Sequence, residues 1–453
     1  MNTRLSLILL ALFSNPLAAS PAIDTWTTAN GARVLFAEAR QLPMVDARIV
    51  FDAGSARDSD KAGLATLTNA VLAEGAGGLS AEQISERFEE VGARFQNGVD
   101  RDIAWVSLRS ITEAANLEPA LATLALVLER PDFPAEALER ERNRLLIALK
   151  QRQQDPGDIA EDAFYANLYR THPYASPVYG TGKALTALNR ADLKIFFQRY
   201  YTAQNAVVAI VGDLAQAEAR DLANKLVGRL AAGEKAEPLP AVPALSAPIE
   251  VKIAHPSSQT HIRFGQPGIA RLDPDFYALY VGNHALGGGG FISRLSKEIR
   301  EKRGLSYSVY SYFLPMRVAG PFMAGLETRN EQVGEALEVL RRTLRGFIAQ
   351  GSSAQEHQAS LKNITGGFPL RIDSNSEIVE YLAMIGFYEL PLDYLENFVR
   401  RIGSVTLNQI RESFKRRLSV ANTVTVIVGG EEGEIRSENK MPGPTPQPLE
   451  RRH

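Results

Sequence analysis

The chain repeats itself. Phe197-Gln198-Arg199-Tyr200, then Asn205, then Val207-Val208-Ala209-Ile210-Val211-Gly212 is matched by Phe414-Lys415-Arg416-Arg417, Asn422 and Val424-Thr425-Val426-Ile427-Val428-Gly429. Phe, Arg, Asn and Gly all recur at one offset of 217 residues. Each copy reads as an amphipathic helix, a turn, and a β-branched apolar run suited to a buried central strand. Four matches in a single register point to an internal duplication, so the chain is expected to fold as two similar halves. The segment 234–248 carries Pro238, Pro240, Pro243 and Pro248 among Ala and Glu, and so reads as an extended linker. The expected domains are 22–233 and 249–430. At 45% apolar and 23% charged residues, wholesale disorder is excluded.

Within the first half, residues 34–38, 46–52 and 104–110 pattern as strands, and 61–74, 80–91, 116–128 and 134–154 as helices. Ser80 is placed to cap its helix, with Glu82 and Gln83 in the first turn, and Pro134 opens another. The fold class is α+β: two homologous domains, each a mainly antiparallel sheet covered by helices.

The N-terminus reads as an export signal. Arg4 precedes an apolar run at 5–13 interrupted only by Ser6, Asn15 and Pro16 break it, and Leu17-Ala18-Ala19 supplies small residues for cleavage near 19. The run is far short of the ~20 residues that span a bilayer, and no later stretch is apolar enough. The expected location is the periplasm of a diderm bacterium, with no membrane attachment after cleavage. The absence of Cys fits an oxidising compartment and excludes thiolate chemistry. The charged and Pro-rich stretch 431–453 is expected to be disordered.

Charge and motifs remove several functions. Fifty Lys and Arg stand against 52 Asp and Glu, which argues against a nucleic-acid partner held by phosphate contacts. There is no P-loop and no G-x-S-x-G elbow. Gly287-Gly288-Gly289-Gly290 lacks a following Lys-Ser/Thr and reads as a flexible or close-packed loop. Six His residues are scattered, none at i, i+4, so no H-E-x-x-H zinc helix exists. His284 reads as a packed residue, His172 as part of a loop, and His255 and His261 as structural or exposed, with no carboxylate near in sequence.

A family resemblance emerges from motifs in order: Gly54-Ser55-Ala56-Arg57-Asp58, Gly63-Leu64-Ala65, Glu74-Gly75, Asp155-Pro156, His172-Pro173-Tyr174, Gly287-Gly288-Gly289, Ser293-Arg294-Leu295, the run from Glu298 to Ser308 and Pro369-Leu370-Arg371. From about residue 25 to 430 the chain resembles the pitrilysin/insulinase-type zinc metallopeptidases, and within them the processing peptidases. That resemblance implies half of a clam-shell enclosing a chamber. Active members carry H-x-x-E-H on the helix that begins here near Lys61. In this register the first His is Thr66, the Glu is Asn69, the second His is Ala70, and the distant third ligand falls at Ile147 or Ala148. Catalytic zinc needs three strong protein ligands, and these residues supply none. No catalytic residue and no metal ligand are therefore expected in this chain.

Arg300 and Tyr307 match the Arg/Tyr pair of the family's C-terminal half, which the resemblance implies is substrate-binding. Arg offers a fixed fork for a carbonyl or carboxylate, and Tyr a phenol for a developing oxyanion. The plainer reading is a solvated basic helix end, since Arg294, Lys297, Lys302 and Arg303 cluster there. The resemblance implies a non-catalytic, substrate-binding subunit of an exported heterodimeric zinc peptidase. It would bind no cofactor itself, pair with a zinc-binding H-x-x-E-H homologue, and act on unfolded peptide. The alternative is a non-proteolytic scaffold.

Overall fold

The structure, a computed structural model, describes residues 22–430. The expected signal segment and Pro-rich tail lie outside those residues. In chain order the first half comprises β1 (Asp24–Thr27), β2 (Arg33–Glu38), β3 (Met44–Phe51), α1 (Leu64–Val71), the small hairpin β4 (Gly75–Ala76) and β5 (Leu79–Ser80), α2 (Ala81–Glu90), β6 (Arg94–Val99), β7 (Ala104–Ile111), α3 (Ala114–Glu129), α4 (Ala135–Arg152), α5 (Pro156–Tyr169), α6 (Gly182–Ala187), α7 (Arg190–Tyr200), β8 (Ala206–Gly212) and α8 (Gln216–Val227). The second comprises β9 (Ile249–Ile253), β10 (Gln259–Pro267), α9 (Phe276–Asn283), β11 (Val309–Phe313), β12 (Pro321–Arg329), α10 (Val333–Gln350), α11 (Ala354–Gly367), α12 (Asn375–Phe387), α13 (Tyr394–Gly403), α14 (Leu407–Arg417) and β13 (Val424–Val428). Between α8 and β9 the Pro-rich stretch forms neither helix nor strand.

The two sheets have one topology. The first runs β1-β2-β8-β3-β7-β6 and the second, from the matching end, β9-β13-β10-β12-β11. In each, the last strand of the half pairs parallel with an early one (β8 with β2, β13 with β9), and the remaining pairs are antiparallel. β8 and β13 carry the repeated apolar runs and are buried along their whole length. β1 is an extra edge strand in the first half. Neither β1 nor β6 stands out in the sequence: β1 is largely exposed and β6 is polar, and neither shows clean alternation. α1 begins at Leu64 rather than at Lys61, because Gly63 takes a left-handed φ of +95° that breaks the helix there.

Each half completes the other. α5, from the first half, lies on β10 and β13, where Phe164 and Leu168 join Met323, Val424, Val426 and Val428 in one apolar cluster. α12, from the second half, lies on β8 and β3, where Val379, Leu382 and Ala383 join Leu35, Val50, Val207 and Val211. α5 and α12 start 219 residues apart, close to the repeat offset, so equivalent helices cross in opposite directions. Gly386 allows the approach: a Cβ there would stand 2.4 Å from Val207 and 2.6 Å from Leu35.

The junction is polar at one point. The buried Asp102 carboxylate accepts from the Tyr174 hydroxyl (2.5 Å), the Arg317 backbone N–H (2.8 Å) and the Tyr388 hydroxyl (2.9 Å), the last two from the second half. The linker is tied down too: Asn205 accepts from the Ala236 N–H at 3.0 Å, and His172 Nε2 meets the Pro240 carbonyl at 3.0 Å. No helix among the described residues is long and apolar enough to cross a membrane.

Candidate functional site

The positions where active relatives of the sequence motif hold zinc are occupied here by ordinary structural contacts. Asp58 receives the Gly63 and Ala65 N–H groups at 2.7 and 2.8 Å, fixing the start of α1. Thr66 donates its hydroxyl to the Val178 carbonyl at 2.5 Å. Asn69 is buried, donates to the Trp105 carbonyl (3.3 Å) and the Tyr201 phenol oxygen (3.2 Å), and through its own carbonyl accepts from Asn97 (2.7 Å). Ala70 lines a cleft of about 550 Å³ with Glu74, Phe88, Phe95, Glu141 and Arg144. Of the two positions considered for the third ligand, Ile147 is 61% exposed on the outer side of α4, which leaves the half-buried Ala148. Glu141 is buried against Arg144 at 2.9 Å, and burial pushes its pKa up. Among the described residues no group of three His, Asp or Glu side chains is arranged to hold a metal. The residues present do not fit zinc.

Arg300 and Tyr307 come together at a different corner. Ser296–Glu301 is a π-helical turn: the Lys302 N–H reaches back five residues to the Lys297 carbonyl at 3.0 Å. Such turns are rare and recur at functional sites. The turn closes through Gly304 (N–H to the Arg300 carbonyl, 2.9 Å), whose φ of +62° redirects the chain, and through the buried Ile299 and Leu305. The Arg300 guanidinium then lies over the Phe291 ring at 4.2 Å and over the Tyr307 ring at 5.3 Å. Tyr307 is 83% and Phe291 66% exposed.

The basic cluster separates into engaged and free members. Glu298 takes Lys302 (2.6 Å) and Arg303 (3.0 Å), and these two cations hold its pKa down. Glu356 takes Arg294 at 3.0 Å. Arg300 and Lys297 make no ion pair among the described residues. Sequence reading finds Arg300 and Tyr307 by motif alone. Phe291 is missed, because only the folded turn sets it against Arg300.

His172, His261 and His284 sit in structural contacts. His284 is pinned by Ser360 and Asn363, both at 3.0 Å, and burial lowers its pKa. His172 accepts the Tyr174 N–H at Nδ1, so its Nε2 carries the proton given to Pro240. His261 has a carboxylate neighbour after all, Glu327 at 3.6 Å, supplied across the strand pair β10–β12. Gly287, Gly288 and Gly289 are close-packed: a Cβ on each would stand within 3 Å of Ser311, Asn283 or His284.

Residues 33–182 match the family model described as insulinase (peptidase family M16), and residues 187–364 the one described as peptidase M16 inactive domain. A Helicobacter pylori protein named non-peptidase homolog YmxG is 26% identical over 87% of this chain and 91% of its own length. A Mycobacterium leprae protein described as an uncharacterized zinc protease is 30% identical over 65% of this chain and 67% of its own. A crystal structure described as a peptidase M16 inactive domain from Pseudomonas fluorescens is 40% identical, with a TM-score of 0.87 over 90% of this chain and 98% of that one. A protease structure from Helicobacter pylori shares the fold at a TM-score of 0.81 and 18% identity, over 90% of this chain and all of that one.

Proposed function

The chain belongs to the insulinase family of M16 peptidases and lacks that family's metal-binding residues, and from this premise we propose that it is the substrate-binding, non-catalytic subunit of an exported two-chain zinc peptidase. The observation that carries the reading is the state of the Arg300–Tyr307 corner. At the H-x-x-E-H positions Thr66 and Asn69 are structural hydrogen-bonding residues, and Ala70 offers no ligand atom. Tyr307 is instead exposed and the half-buried Arg300 lies against its ring, and neither has a carboxylate partner among the described residues. A scaffold has no need of such a pair.

In this reading a zinc-binding H-x-x-E-H homologue supplies the metal and the catalytic base, and the two chains close around unfolded peptide. Arg300 holds the peptide through a carbonyl or a carboxylate. Tyr307 donates its phenol hydrogen to the scissile carbonyl oxygen as that oxygen gathers charge. The reading includes export to the periplasm, which the signal-like pattern of residues 1–19 supports.

The test is reconstitution with an exported H-x-x-E-H homologue from the same genome. Neither chain alone is expected to cleave peptide efficiently, and this chain is expected to hold no stoichiometric zinc. Losing one oxyanion donor typically costs about 10²–10³ in rate, so Tyr307→Phe should depress turnover by that order while size-exclusion chromatography still shows the complex. Arg300→Ala should weaken peptide binding as well. Wild-type rates in both variants would leave the pair as a solvated basic corner and favour the scaffold.

A further inference from the structure

Stacking against two exposed rings restricts where the Arg300 side chain can go, and among the described residues no hydrogen bond or ion pair engages its N–H groups. That edge has the spacing of a carboxylate's two oxygens. The surroundings favour an anion over a neutral carbonyl. Residues 293–308 carry Arg294, Lys297, Arg300, Lys302 and Arg303 against only Glu298 and Glu301, and among the described residues Lys297, like Arg300, has no carboxylate partner. The exposed surface here is also apolar: Phe291 and Tyr307 flank Arg300, and Ile292, next to Phe291 in sequence, is 50% exposed. Two exposed aromatic rings against one guanidinium, with no carboxylate partner among the described residues, are costly to leave in water unless something covers them.

We infer that this corner reads a carboxylate carried next to a bulky apolar side chain on an extended peptide. Phe291 is the positioning residue: it orients Arg300 and walls the apolar subsite. The inference rests on the substrate-binding reading above and adds to it a class of peptide and a third residue. The carboxylate comes from an Asp or Glu side chain or from the peptide's C-terminus, and both present the same pair of oxygens.

The experiment uses the isolated full chain and short fluorescent peptides, read by anisotropy. One pair contains an internal Phe-Asp or its Phe-Asn counterpart; another ends in Phe as the free acid or the amide. A charge-assisted bond is worth roughly 10–100-fold in affinity, so in at least one pair the acid is expected to bind about 10-fold tighter or more. Preference in the internal pair assigns the side chain, and preference in the terminal pair assigns the C-terminus. Equal binding within both pairs, or no binding of either acid to the folded chain, overturns the inference. Phe291→Ala should lose about 10-fold and Phe291→Tyr should keep wild-type affinity, whereas Arg300→Lys should lose most of the acid preference. If Phe291→Ala binds as wild type with native circular dichroism, the positioning role is wrong. Because no second chain is present, failure to find a partner or to stimulate cleavage would strike the subunit reading alone.

Discussion

Asp58 stands at the mouth of α1, 1% exposed, and burial pushes its pKa up to about 7 against the opposing pull of the Ala65 and Gly63 N–H groups and the Ser176 hydroxyl. The folded chain therefore holds this proton more tightly than the unfolded chain, where an aspartate titrates near 3.8. The stability it contributes is present in full below that lower value. It falls as pH rises, by at most about 1.4 kcal/mol per pH unit, and is gone above about 7. Asp58→Asn should flatten this part of the profile, measured as melting temperature between pH 5 and 8; an unchanged slope would show that Asp58 is ionised throughout. At this scale the sequence was informative where a motif sets the register, as at Thr66, Asn69 and Ala70. It was silent where the choice depends on which side of a helix faces inward, as between Ile147 and Ala148. It was silent too where a neighbour arrives across strands, as Glu327 does beside His261.

The elements that matter most to the architecture are α5 and α12. Their counterparts, β8 and β13, could be read directly, because an unbroken β-branched run has no solvent face and must be central. The crossing of the two helices could not be read. Their own periodicity reports that a face is buried but not whose sheet buries it. Phe164 tests the crossing: it is fully buried on the opposite half's sheet, where a Cβ on Gly265 would stand 2.9 Å from its ring. Phe164→Ala should cost about 3–5 kcal/mol of global stability, read by denaturant unfolding. A loss below about 1 kcal/mol would mean that α5 contributes little to the second half's core.

For the whole molecule, the exchange makes two domains into one cooperative unit. Without α12, residues 22–248 would bare Leu35, Val50, Val207 and Val211, each 9% exposed or less in the intact chain. At about 1.5–3 kcal/mol per side chain, roughly 6–12 kcal/mol is lost, comparable with the ~5–15 kcal/mol that holds a typical protein folded. Residues 22–248 expressed alone should therefore bind a hydrophobic dye and lack a sharp melt, and co-expression with 249–430 should restore both properties. A sharp, dye-free melt of the first segment by itself would contradict this. The same exchange sets a clock on biosynthesis. The first sheet is complete in sequence by Gly212, yet the helix that covers its bare face ends at Phe387. At ~5–20 residues per second a ribosome takes about 9–35 s to make the missing piece. Throughout that interval the nascent chain displays an adhesive aliphatic surface that cannot yet be closed from within. Such transiently bared apolar surface is what makes a half-made chain prone to aggregation.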